Sequence, residues 1–333
     1  MTDAKQEIPI HADFDRAPGL IEGSTTYELT PFECDVEWWI KSVAQGSLMG
    51  LDHGVKAESK IPDFLLREGP LRDNLIVEFA FRSITEWEAT RICALATYAS
   101  PNIEGMEFYA TQTLDEARHA NTFRNHLIEL GVPKDELVET MERVAREDAD
   151  KLIKPIREWA LPLYIAGLES GSAYIDSVGA ITILLEGVLA PTTELSELKW
   201  KGISPATANI ERGACVDEIR HLSVGSWIVR DYVQKHPEDR ARMVEALSEG
   251  RAVWASLPTA EIIFRRESQF QEGIVENAKE IGDYEIFPGR RLIDTTPEER
   301  VMMALKWSEE IQNSRLVYMG LEEAIIDMAQ VSL

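Results

Sequence analysis

Two short stretches of the chain repeat the same order of chemically active residues. Residues 115–119 read Asp-Glu-Ala-Arg-His, and residues 217–221 read Asp-Glu-Ile-Arg-His. In each stretch a Glu and a His stand three residues apart, which on a helix places a carboxylate and an imidazole on one face. Oxygen and nitrogen ligands without a thiolate suit iron or manganese. The repeat therefore predicts two halves of one metal site.

The first motif lies in a predicted pair of helices. Apolar residues recur at helical spacing over 72–99 and again over 104–130, and Pro101 interrupts the pattern between them. Glu86 lies fifteen residues before Pro101, and Glu116 lies fifteen residues after it. In an antiparallel pair both stand roughly 22 Å from the turn, at a rise of about 1.5 Å per residue. Glu86 is therefore the predicted partner of the first motif.

The second motif also has a partner Glu at an equal distance from a turn. The apolar stretch 164–190 precedes Pro191, which we interpret as a kink because a helical spacing continues up to Gly202. A further helix follows from residue 204 to about 233, with Ser and Pro at its start. Glu186 and Glu218 each lie sixteen residues from Gly202, so they are level if the helix continues past Pro191.

The six predicted ligands need cations to remain buried together. Unpaired buried charges each cost several kcal/mol or more, so two metal ions would supply the missing charge. Asp residues that precede the motif Glu residues could accept the free ring N–H of a ligand His across the bundle, and the Arg residues could neutralise them. The predicted ligands are Glu86, Glu116, His119, Glu186, Glu218 and His221, supported by Asp115, Asp217, Arg118 and Arg220.

Three other carboxylates compete for roles at this site. Glu88 is an alternative to Glu86, whose spacing we favour, and Glu169 is an alternative to Glu186 at a much longer distance from Glu218. Glu211 precedes Glu218 by seven residues and so shares its helix face, either as an additional ligand or as a hydrogen-bonded carboxylate.

The remaining pattern is also helical. No alternating strand pattern of useful length competes, so the predicted fold class is all-α. Residues 1–30 are predicted to be an N-terminal arm, and residues 31–333 a single all-α domain with its metal-binding bundle at about 72–235. Further helices are predicted over 33–44, 135–159, 238–255, 259–281 and 297–328.

Composition excludes several classes of partner. The chain has 34 Lys and Arg against 58 Asp and Glu, and a formal net charge of -24 disfavours nucleic acid and acidic membranes. Three cysteines without C-x-x-C spacing disfavour a disulfide framework. With no export signal or membrane span recognisable, we expect a cytoplasmic protein, and the polar arm suggests a homodimer.

The residues from 86 to 119 resemble the catalytic-subunit helices of bacterial multicomponent monooxygenases. The resemblance extends over about 72–235 and identifies the chain as similar to ferritin-like non-haem di-iron oxygenases and oxidases, including natural-product N-oxygenases. It implies a ferritin-like four-helix bundle with additional helices, two Fe ions or an Mn/Fe pair, and O2 as co-substrate. It implies a small-molecule substrate, with N-oxygenation of an amine or hydrazine expected first and C–H hydroxylation next. No flavin, haem or iron–sulfur motif is present, so a separate reductase or ferredoxin is expected to donate electrons, unless the substrate itself supplies them.

Three positions depart from the relatives. Phe123 stands where radical-generating ribonucleotide reductase subunits have Tyr, which disfavours the alternative of a radical or ligand-binding oxidase subunit. Ala214 stands where aminobenzoate-type N-oxygenases have an extra His ligand, and Ala190 where methane and toluene monooxygenases have a Thr. An iron-storage role is the third hypothesis, and the helices beyond residue 235 argue against it.

Overall fold

The computed structural model describes residues 8–43 and 60–326 and the backbone of two short strands between them. These residues form an all-α fold, as predicted. The helices are α1 (Leu20–Thr26), α2 (Val36–Trp38), α3 (Pro70–Ala99), α4 (Ile103–Glu129), α5 (Leu137–Ser170), α6 (Ala173–Ala180), α7 (Gly187–Lys201), α8 (Pro205–Lys235), α9 (Arg240–Ala255), α10 (Thr259–Glu276), α11 (Ala278–Ile281) and α12 (Pro297–Met319).

Shorter elements complete the described chain. Two antiparallel ribbons pair β1 (Leu51–Asp52) with β2 (Val55–Lys56), and β3 (Glu285–Phe287) with β4 (Arg290–Arg291). Single 3-10 turns occupy Ile10–Ala12, Asp63–Leu66, Pro237–Asp239, Leu292–Asp294 and Glu322–Ala324, and π-helical turns occupy Trp39–Val43 and Ile181–Glu186.

Four long helical segments surround the interior. Helix α3 packs along α4, and α7 packs along α8; the two pairs meet where α4 contacts α8 and α3 contacts α6. Asn102 caps α4, because its side chain accepts a hydrogen bond from the Gly105 amide at 2.9 Å. Ser204 caps α8 in the same way, and Pro205 occupies its first turn. The outer helices α10 and α12 cover α3 and α7.

The helix around Pro191 continues, as predicted. Helix α6, the π turn Ile181–Glu186 and α7 form one segment from Ala173 to Lys201. Pro191 cannot donate to the carbonyl of Gly187 four residues earlier. Ser308 of α12 donates its hydroxyl to that carbonyl at 3.0 Å, so the acceptor is satisfied from outside the helix. This segment is apolar and long enough to span a membrane, but 83% of its most apolar window is buried inside the protein.

Three helix boundaries differ from the prediction. Helix α5 does not end near Trp159 but runs through Pro162 to Ser170, and it ends where Gly171 adopts a left-handed conformation with φ 87°. The neighbouring Leu161 and Leu163 are exposed, so water can reach the carbonyl group that Pro162 leaves without a donor. Helix α10 ends at Glu276, and α12 ends at Met319 rather than near 328 because Gly320 is left-handed with φ 76°.

The predicted N-terminal arm packs on the chain's own helices. Leu20 of α1 is fully buried in a small apolar cluster with Ile219 of α8. The Arg212 guanidinium donates to the Pro18 carbonyl at 2.8 Å, and the Ile21 amide donates to Glu194 at 2.7 Å. Residues 8–27 therefore cover one side of the helical interior.

Candidate metal centre

The six predicted ligand residues lie together between the long helices. Their donor atoms form two overlapping groups, each with all atoms within 4.8 Å of one another. One group is Glu116, Glu186, Glu218 and His221; the other is Glu86, Glu116 and His119. Glu116 belongs to both.

Two carboxylates stand between the two imidazoles. Glu116 places Oε1 3.3 Å from Nδ1 of His221 and Oε2 3.6 Å from Nδ1 of His119. Glu218 does the reverse, with Oε2 2.9 Å from Nδ1 of His221 and Oε1 3.6 Å from Nδ1 of His119. Each carboxylate thus presents one oxygen to each half of the site, which is the disposition of a bridging ligand.

The other two carboxylates each belong to one half. Glu86 lies 3.9 Å from Nδ1 of His119, and Glu186 lies 3.8 Å from Nδ1 of His221. One residue of the π turn helps to fix Glu186. Thr182 lies one turn before it and fits against Gly225 of α8, where a Cβ atom would stand 2.2 Å from the Thr182 hydroxyl oxygen. The π turn therefore lets the helix carrying Glu186 approach α8 closely.

The electrostatics of the cluster favour bound cations. Burial and neighbouring carboxylates raise the pKa of Glu186 and of Glu218 well above the ordinary value, and burial raises the pKa of Glu86 to about 7. Burial would also raise the pKa of Glu116, but hydrogen bonding and attraction from the two imidazoles lower it to about 2. If all four carboxylates were ionised, their charge would exceed what the two imidazoles can neutralise, so bound cations would take the place of the protons that these raised pKa values favour.

An unpartnered nitrogen fits this interpretation. Nδ1 of His119 is buried without a hydrogen-bond partner and faces the carboxylate oxygens of Glu86, Glu116 and Glu218. An imidazole nitrogen that is left free among carboxylate oxygens suits a metal ion, which would contact all of them.

The second ring nitrogens are held across the bundle. Nε2 of His119 lies 3.2 Å from Oδ2 of Asp217, and Nε2 of His221 lies 3.4 Å from Oδ2 of Asp115, so each motif supplies the Asp that faces the His of the other. The sequence predicts this pairing of each Asp with a His on the opposite side of the bundle. In a neutral imidazole, an Nε2–H that donates to a carboxylate leaves Nδ1 without a proton and able to bind a metal.

Arginines balance these two aspartates. Arg118 pairs with Asp217 and Arg220 pairs with Asp115. Although burial opposes ionisation, the Arg118 guanidinium and the His119 hydrogen bond hold the pKa of Asp217 far below its usual range. Asp217 therefore stays charged and can orient the His119 imidazole, and Asp115 faces His221 while paired with Arg220.

Among the described residues, the three alternative carboxylates belong to neither ligand group. Glu88 lies 2.6 Å from Arg91, on the side of α3 away from the cluster, and Glu169 lies on the exposed end of α5. Glu211 is fully buried but contacts Arg82 at 3.0 Å and accepts a hydrogen bond from Ser196, so it acts as a hydrogen-bonded carboxylate.

Two contacts were not predicted. Gln112 donates its side-chain amide to Oε1 of Glu186 at 2.8 Å; it lies four residues before Glu116, and that spacing could have identified it. Trp39 donates its indole N–H to Asp115 at 3.1 Å, and nothing in the spacing around residue 39 indicates this contact. Phe123 packs edge-on against Phe79 in the core, so no hydroxyl is offered from this position.

No protein-family model matches the sequence, and no curated protein matches it.

Proposed function

We propose that this protein is an O2-dependent di-iron oxygenase that oxidises a small organic molecule. The observation that supports this best is the sharing of Glu116 and Glu218 between two imidazoles in a buried cluster. The four long helical segments then correspond to a ferritin-like four-helix bundle, in which such carboxylates and Glu-x-x-His pairs hold two metal ions.

The donor set fits two ions of iron. Glu86 and His119 would hold one ion, Glu186 and His221 the other, and the shared carboxylates would contact both. Four carboxylates offset the charge of two divalent cations, and the absence of thiolates from the proposed ligands favours iron or manganese over softer metals. An Mn/Fe pair satisfies the same donors. When bound, an iron pair would supply electrons to O2.

The chain's own residues would prepare the site. The aspartates and arginines keep the two histidines oriented, and Gln112 holds Glu186 by a hydrogen bond. The burial of the cluster excludes bulk water, which protects a reactive centre from side reactions. Phe123 offers no phenol at the position that a radical subunit uses, so we favour substrate oxidation over radical storage.

The substrate reaction and its electron donor complete the proposal. N-oxygenation of an amine or hydrazine is the first reaction to test, since the sequence resembles natural-product N-oxygenases, and C–H hydroxylation is the second. We further propose that a separate reductase or ferredoxin donates the electrons and that the protein acts in the cytoplasm as a homodimer.

The test begins with metal-free protein. It is loaded with Fe(II) without oxygen, then exposed to O2 with a panel of amines, hydrazines and hydrocarbons and a chemical reductant. We expect two iron ions per chain, a change in the optical spectrum on oxygenation, and a product heavier by one or more oxygen atoms in mass spectrometry. Full iron loading without oxidation of any panel member would contradict the oxygenase proposal, whereas absence of iron binding would remove its basis.

A further inference from the structure

A cavity lies on the other side of the π turn from the metal centre. It has a volume of about 210 Å³ and is enclosed by α3, α5, the segment α6–α7 and α9. Its walls are mostly apolar, as in Ile92, Ile156, Leu184 and Leu247. We call it the apolar cavity. Its size and lining suit a small organic molecule rather than a macromolecule.

The apolar cavity shares its inner wall with the metal centre. Leu185 lines the cavity and directly precedes Glu186 in the π turn, and Glu88 lines it two residues after Glu86 on α3. Among the described residues, none of the six candidate ligands lines the cavity itself. A larger cleft of about 790 Å³ lies against α12 and the ribbon of β3 and β4, and Val188, two residues after Glu186, lines it.

The charged side of the apolar cavity carries two arginines around one glutamate. Glu88 is nearly buried, with 10% of its side chain exposed, while the side chains of Arg91 and Arg157 are 68% and 49% exposed. Arg91 contacts Glu88 at 2.6 Å, but Arg157 stands 3.7 Å from it, beyond hydrogen-bond length. The carboxylate of Asp176 is paired with Arg242 at 2.6 Å. Two guanidinium groups thus share one carboxylate at the edge of an apolar space.

Resting on the proposed function, we infer that the substrate has an apolar body and a carboxylate group, with the body in the apolar cavity and the carboxylate at Arg91 and Arg157. A guanidinium binds a carboxylate through two parallel N–H donors, and its weak hydration favours such pairing at a partly buried site. An ammonium group at the same place would face two positive charges against one negative charge. The end of the molecule that is oxidised would lie at the π turn, beside Glu186.

The test measures binding to the metal-free full chain, with octanoate, octan-1-ol and octylamine as probes. Trp159 and Trp254 line the apolar cavity, so quenching of tryptophan fluorescence reports its occupation, and calorimetry gives the dissociation constants. We expect octanoate to bind at least about tenfold more tightly than octan-1-ol or octylamine. A difference of about tenfold is what one charge-assisted hydrogen bond contributes to affinity. Equal or tighter binding of octylamine overturns the inference.

Two variants assign the preference to the arginines. Arg157→Gln should weaken octanoate binding about tenfold and leave octan-1-ol binding unchanged, because only the charged contact is lost. Arg146→Gln is the matched control on the same helix, since Arg146 pairs with Glu142 at 2.8 Å and does not line the cavity. An octanoate affinity that is the same in Arg157→Gln and in wild type overturns the inference.

These binding results are separable from the test of the proposed function. If octanoate binds with the expected preference but the protein neither holds iron nor consumes O2, the oxygenase proposal fails and the ligand class of the cavity stands. If iron loads and O2 is consumed but the carboxylate gives no advantage in binding, the inference fails alone.

Discussion

The sharing of Glu116 by both groups predicts a graded response of metal content to single substitutions. We expect wild-type protein to bind two Fe(II) or Mn(II) ions per chain. Glu186→Gln removes a donor from only one group, so about one ion should remain, held by Glu86, Glu116 and His119. Glu116→Gln removes a donor from both groups, so metal content should fall well below one ion. Gln keeps the shape of the side chain and removes only its charge.

The stability gained from metal binding should follow the same order. A ligand at a hundred times its dissociation constant stabilises the folded state by about 2.7 kcal/mol per site. Wild-type protein should therefore gain about 5 kcal/mol on metal addition, Glu186→Gln about half of this, and Glu116→Gln almost nothing. The gain is measured as the change in the free energy of unfolding, from denaturant titrations with and without Mn(II), beside metal analysis of dialysed protein.

A matched control distinguishes ligand loss from general damage. Glu88 lies on the same helix as Glu86 but faces Arg91 and is absent from both groups, so Glu88→Gln should keep two ions and the full metal-dependent gain. Equal metal content in Glu116→Gln and Glu88→Gln would contradict the assignment of Glu116 as a ligand. Equal losses of metal in Glu116→Gln and Glu186→Gln would contradict the sharing of Glu116 between the two groups.

Three further predictions concern the surroundings of the centre. Asp217→Asn should weaken metal binding about 10- to 100-fold, measured by competition with a chelator, because His119 loses the carboxylate that orients it. Burial raises the pKa of Glu211 to about 8 from 4.5 despite its contact with Arg82, so the folded protein binds the proton more tightly than the unfolded chain. The stability that this proton contributes is therefore full below pH 4.5 and is lost as pH rises to about 8. The free energy of unfolding should fall by up to about 1.4 kcal/mol per pH unit over this range. Glu211→Gln should remove this slope, as measured by denaturant titrations between about pH 5 and 8. Gly225→Ala should destabilise the fold by about 1–3 kcal/mol, because the added methyl group overlaps Thr182.

Two of these predictions have a control in the same helix, α8. Asp231 pairs with Lys235 near the surface, so Asp231→Asn should leave metal affinity unchanged; an equal loss in both variants would rule out a specific effect on His119. A Cβ atom at Gly213 would meet no described atom within 4 Å, so Gly213→Ala should stabilise the helix by up to about 1 kcal/mol. Stabilisation by Gly225→Ala as well would show that the close contact with Thr182 is absent. An unchanged pH slope in Glu211→Gln would assign the slope to other groups.

The metal-centre residues could be found from the sequence because helix geometry is local. The rise per residue is fixed by backbone hydrogen bonds, so equal distances from the turns at Pro101 and Gly202 bring Glu86 level with Glu116 and Glu186 level with Glu218. The same regularity places each Glu and His of the repeated motif on one helix face. The all-α class likewise followed from apolar periodicity.

The tertiary structure decided which faces of those helices meet. Glu86 and Glu88 differ by two residues, or about 200° around a helix, and only packing turns Glu86 rather than Glu88 toward His119. Packing also brings Trp39 to Asp115 and Arg82 to Glu211, contacts between residues far apart in the chain. The length of α5 was wrong in the prediction because an exposed proline does not end a helix whose freed carbonyl group reaches water. Spacing along the chain therefore determined the heights of the metal-centre residues, whereas the rotation and contacts of the helices depended on long-range packing that no local pattern encodes.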